Sequence, residues 1–179
     1  MKRSFKMLAA AMFAAAALFT GTTLQAQDKP AGGFKNAFLN MGKSGKVSLT
    51  YTLWADQVGK GSYTLAFFWA SWSDEAREQL SYVKEVYKKY AGKLKVLGVT
   101  YGDEITDSME AIPEWGIPFP SFVFVEDAAP DGQFDIDSIP LVILFGPDGK
   151  VVARDLKGEE IEKAVAEALE HFQHLDSER

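Results

Sequence analysis

From Tyr63 to Trp69 the chain runs through apolar and aromatic side chains broken only by Thr64, the pattern of a strand buried on both faces of a sheet. Leu94–Thr100 repeats it. Between them, Ala76, Leu80, Val83, Tyr87 and Tyr90 recur at helical spacing. Ser73 is suited to cap that helix, Asp74 and Glu75 to its positive end, Lys88 and Lys89 to its negative end, and Gly92 to its stop. Upstream, Lys46–Trp54 alternates, with Val47, Leu49, Tyr51 and Leu53 on one face, which predicts a half-buried strand. Downstream, the pattern predicts a helix over 104–115 that Pro113 disturbs, a short strand over 121–125 and an acidic loop over 126–138. A hairpin over 141–154 follows, about Pro147-Asp148-Gly149-Lys150. A closing helix over 159–171 carries Ile161, Val165, Ala168, Leu169 and Phe172 on its apolar side. A βαβ start followed by an antiparallel hairpin and a helix implies an α/β fold, a mixed sheet with helices on both faces. The Gly-, Lys- and Asn-rich stretch 27–45 reads as a linker with a short helix over 34–40. The folded domain is expected over 46–175, with a frayed tail at 176–179.

The first residues have a different grammar. Lys2, Arg3 and Lys6 precede an alanine-rich apolar run from Met7 to Leu18, and Leu24-Gln25-Ala26 offers a cleavage point. This is the layout of an export signal over 1–26, and the apolar run is too short for a comfortable membrane span. The expected location is periplasmic or secreted, with no membrane span after cleavage. Removing residues 1–26 takes away three basic and no acidic residues, so the net charge moves from −6 to −9. Such a surface argues against nucleic acid as a partner. Apolar residues make up 47% of the 179 residues, enough for a full core, and cysteine is absent. Thiol exchange needs a thiolate as its nucleophile, so this sequence cannot perform it.

Four stretches carry a resemblance: Phe67-Phe68-Trp69-Ala70-Ser71-Trp72, Gly116-Ile117-Pro118-Phe119-Pro120, Ser138 to Val152, and Asp155 to Ile161. In this order they resemble the thioredoxin fold, with an N-terminal β extension. More closely they resemble the exported TlpA/ResA-type thiol–disulfide reductases related to the AhpC/TSA group. The resemblance places the family's attacking cysteine on Ser73 and its resolving cysteine on Ala76, with Asp74 and Glu75 between them. It places the family's cis-proline on Pro140, after Ile139, whose backbone would face an extended peptide in the β-addition mode. It implies a redox scaffold without redox chemistry and without a cofactor. The binding residues it suggests are Trp72, Ser73, Ile139 and Pro140, and the expected partner is an exported protein or peptide.

Other readings stay beside this one. Trp72 could line a shallow apolar groove with Ile139 and Phe119, or simply pack over the helix start. Ser73 could be a nucleophile, but His171 and His174 lie far down the closing helix, so a capping role is favoured. Asp103, Glu104 and Asp107 follow a strand end where open α/β sheets bind ligands. They could do acid–base work on a small molecule, or form an ordinary helix N-terminus. A structural place in an envelope assembly is a further alternative. Gly42-Lys43-Ser44 lacks the first glycine of a phosphate loop. Asp127, Asp131 and Asp135 match only part of a calcium loop, and His171 with His174 makes only half a metal site.

Overall fold

The computed structural model describes residues 37–42, 50–124 and 136–177. In chain order the elements are β1 (Ala37–Gly42), β2 (Thr50–Leu53), the one-turn α1 (Trp54–Gln57), β3 (Tyr63–Trp69), α2 (Asp74–Lys89) and β4 (Leu94–Thr100). They continue with α3 (Ile105–Glu114), β5 (Ser121–Phe124), β6 (Leu141–Phe145), β7 (Val151–Ala153) and α4 (Glu159–Ser177). Among the described residues the strands form one seven-stranded sheet in the order β2-β1-β5-β4-β3-β6-β7. β3 lies at its heart, parallel to β4 and antiparallel to β6. β4 and β5 are also parallel, so the sheet is mixed.

All seven residues of β3 are buried, as its unbroken apolar run requires. Alternate side chains serve two cores. Leu65, Phe67 and Trp69 join Ala76, Leu80 and Val83 of α2, Ala111 and Ile112 of α3, and Ile161 and Val165 of α4. Ala66 and Phe68 join Trp54, Leu97, Val99, Ile143 and Phe145 on the opposite face. There the indole of Trp54, in α1, meets the ring of Phe145 edge-on at 5.4 Å between centroids. Helical cover therefore lies on both faces, but unevenly: α2, α3 and α4 share one face. The sheet order explains this. The steps β3 to β4 and β4 to β5 run in the same direction across the sheet, and right-handed crossovers in one direction lay their helices on one face.

Three expectations need correction. Residues 37–42 are a strand, not part of a linker or a helix. β1 pairs with β2 through Ala37↔Leu53 and with β5 through Phe38↔Phe124, and a two-sided ladder outweighs weak local preference. The domain thus starts before residue 46. The alternating strand ends at Leu53 and not at Trp54, because Trp54 turns into α1 and buries itself against Phe145. The closing helix runs to Ser177, through the start of the expected tail, since a helix anchored by Ile161 and Val165 propagates at little cost. The export signal, the partial calcium loop and the His174 side chain lie outside the described residues. Among those residues no helix is long and apolar enough to cross a membrane.

Candidate functional site

The end of β3 feeds a tight turn. The Ser73 amide donates to the Ala70 carbonyl at 3.1 Å, and the Arg77 amide to the Ser73 carbonyl at 3.1 Å, opening α2. Ser73 is the N-cap: its Oγ accepts from the Ala76 amide at 3.1 Å, and its backbone is extended. With 6% of its surface exposed, Ser73 has its hydroxyl committed to the cap. Ala76 is fully buried in the core.

Trp72 behaves oppositely. It is 64% exposed, and its indole N–H donates to the Gly102 carbonyl at 3.0 Å, fixing the ring at the surface. The loop beneath it is tied down by Asp103, which is buried. Asp103 Oδ2 accepts from the Ser71 amide at 2.6 Å and from the Ser108 hydroxyl at 2.8 Å, and Oδ1 accepts from the Ser71 hydroxyl at 2.9 Å. One carboxylate thus joins the turn after β3 to the first turns of α3.

Pro140 sits alongside. Phe68 pairs with Leu141, so the antiparallel register brings Pro140 level with Trp69, the last residue of β3, where the Ala70–Ser73 turn begins. The Ile139–Pro140 peptide bond is cis. Pro140 is buried, and Ile139 is half-buried against both cores. The fold therefore gathers Trp72, Ser73, Ile139 and Pro140 at one end of the sheet.

Beside this turn, α2 and α3 bound an open cleft of about 250 Å³. Trp115, mostly buried, is among its lining residues, and its ring packs on Trp69 at 5.3 Å between centroids. The Arg77 guanidinium stands over that ring at 5.7 Å and lies 3.7 Å from Glu114. Lys84 reaches across and donates to the Trp115 carbonyl.

This arrangement does not assemble a nucleophile. The hydrogen bonds of Asp103 go to Ser71 and Ser108, none to Ser73. Glu104 is exposed and caps α3 without a side-chain hydrogen bond. Lys84, a conceivable base for Ser73, is held at Trp115. Among the described residues no His, Cys, Asp and Glu group is arranged to hold a metal. Phe119 cannot line a groove with Trp72: it is fully buried, its ring edge-on to Tyr87 at 5.8 Å. The Asp103 clasp escaped sequence reasoning because its partners lie 32 residues before it and five after it, and nothing local marks Ser71 as a partner.

A family model described as thioredoxin-like matches residues 61–151, from just before β3 into β7. The thiol–disulfide oxidoreductase ResA of Bacillus subtilis is 24% identical over 99 residues, 55% of this chain and 54% of ResA. The chain thus matches about half the length of that relative. The thioredoxin domain of a thiol–disulfide oxidoreductase from Bacteroides vulgatus superposes with a TM-score of 0.63 at 22% identity, covering 73% of this chain and 90% of that one. A thiol:disulfide interchange protein from Bacteroides sp. gives 0.60 at 23% identity, covering 80% and 92%. These likenesses are of fold, and the sequence holds serine and alanine, not cysteine, at the turn where the resemblance placed the redox pair. The chain belongs to the thioredoxin-like family, as a member with no cysteine.

Proposed function

We propose that this is an exported, redox-inactive thioredoxin-like protein that binds an extended protein or peptide segment on the face around Trp72, Ser73, Ile139 and Pro140. Trp72 carries the reading. A large aromatic ring with 64% of its surface in solvent, held in place through its own N–H, is pre-organised contact area of the kind that dominates interfaces. The leader-like segment 1–26 supports export, and the lack of cysteine removes thiol exchange. The clasp of Asp103 on Ser71 holds the platform rigid, which lowers the ordering cost of binding.

Selection of displayed random peptides tests the reading. Wild type is expected to enrich a sequence family that Trp72→Ala no longer enriches. Val152→Ala, at an exposed position on the edge strand β7, is expected to leave the selection unchanged. Equal enrichment by wild type and Trp72→Ala would count against this face.

A further inference from the structure

Two polar atoms in the core under α2 and α3 have no hydrogen-bond partner. They are Trp69 Nε1 and Ser121 Oγ, and both residues are fully buried. Folded interiors seldom leave such atoms unpaired, because each has given up its water on folding. Among the described residues one other buried side-chain atom shares this condition, Thr64 Oγ1. By the alternation of β3 it belongs to the opposite face, with Ala66 and Phe68.

Trp69 and Ser121 come from different strands and converge on one residue between them. Gly98 of β4 pairs with Ser121 of β5, and its other neighbour is Phe67 of β3, two residues before Trp69. The direction in which a side chain on Gly98 would project ends 2.7 Å from Ser121 Oγ, 3.1 Å from Trp69 Nε1 and 3.2 Å from Phe119 Cε2. Gly98 does not have a positive φ, so its backbone does not require glycine. A glycine inside a strand with ordinary dihedrals marks a place where something else approaches the backbone closely.

The chemistry of that place is narrow. An indole N–H donates and cannot accept, whereas a hydroxyl does both. The guest must therefore accept from Trp69 and exchange a hydrogen bond with Ser121. It must also be small and neutral. Phe119 closes the third side, and no ionisable group is among the atoms nearest to Gly98. The cations around Trp115 are engaged there, Lys84 with its carbonyl and Arg77 with its ring.

We infer that this is a binding site for one internal water molecule, held between Trp69 Nε1 and Ser121 Oγ over Gly98. The water oxygen accepts from the indole and shares a hydrogen bond with the serine hydroxyl, the two polar partners that a buried water needs. It lies farther from the Gly98 Cα than a Cβ would, at ordinary hydrogen-bond separations of about 2.7–3.0 Å from both atoms. It links the last residue of β3 to the first of β5 across a strand that offers no side chain of its own. Trp69 leads directly into the Ala70–Ser73 turn, so the water anchors the ring from which the Trp72 platform departs. The inference stands apart from the peptide-binding reading.

A high-resolution crystal structure of the protein tests it, together with the ¹⁵N-labelled protein in water-selective NMR. Wild type is expected to show one ordered water bonded to both atoms, and a cross-peak from the Trp69 indole N–H to the water signal. Ser121→Ala removes one partner without adding bulk and is expected to lose both the ordered water and the cross-peak. Gly98→Ala places a methyl in the same space and is expected to expel the water as well. If that variant fails to fold, wild type and Ser121→Ala still decide. A direct Trp69–Ser121 hydrogen bond with no water between, a space that holds neither, or an ordered water that persists unchanged in Ser121→Ala would each overturn the inference.

Discussion

Asp103 shows how one buried residue can organise a surface. Its carboxylate takes three donors from two segments, and hydrogen bonds to a charged acceptor are the stronger kind. Replacing it by alanine strands the Ser71 amide and two hydroxyls. Asp103→Ala is expected to destabilise the fold by about 2–4 kcal/mol in urea unfolding. Asp103→Asn, which keeps an acceptor oxygen, should lose less. A loss below about 0.5 kcal/mol for the alanine variant would mean that the turn does not depend on the clasp. Gly98 is the other position where one atom decides the packing. A Cβ there would lie 2.7 Å from Ser121 Oγ and 3.1 Å from Trp69 Nε1, both buried atoms without a hydrogen-bond partner. Gly98→Ala is expected to cost about 1–3 kcal/mol through overpacking. Because Ser121 supplies the closest atom, Ser121→Ala should recover part of that loss in a double-mutant cycle.

At the scale of elements, α2 was legible because its signals are local. Ser73, the two acidic residues after it and the two lysines of its last turn all sit where the dipole and the orphan amides need them. Ser73→Ala is expected to cost about 1 kcal/mol, and Ser73→Asp to keep most of the cap. Equal thermal midpoints for wild type and Ser73→Ala would contradict the capping role. β3, β4 and β6 were legible for a similar reason, since burial on both faces leaves an apolar run in the sequence. β1 was not legible. Its partner β5 lies far along the chain, with Phe38 opposite Phe124 and Gly42 opposite Ser121, and its own residues, Ala-Phe-Leu-Asn-Met-Gly, have neither clean alternation nor an apolar run. Nothing but the ladder marks it as a strand.

For the whole molecule, the lack of sulfur is a property of composition and needs no structure. Insulin reduction by the purified protein with dithiothreitol should not exceed the buffer control, and turnover above it would contradict redox inactivity. The sequence by itself determined the mixed α/β class, the capped helix after β3 and the loss of thiol chemistry, because period, capping and composition are written in neighbouring residues. It placed Trp72 and Pro140 as candidates only through resemblance. The tertiary structure decided the rest. It added β1 to the sheet, buried Phe119 and turned Asp103 from a candidate acid into a clasp. By stepping β3, β4 and β5 in one direction it laid α2 and α3 on the same face. That last choice creates the cleft between them, because it brings together side chains from two helices that the sequence keeps some thirty residues apart. Side-by-side placement of distant segments follows from strand order and crossover hand, and neither leaves a periodic trace along the chain.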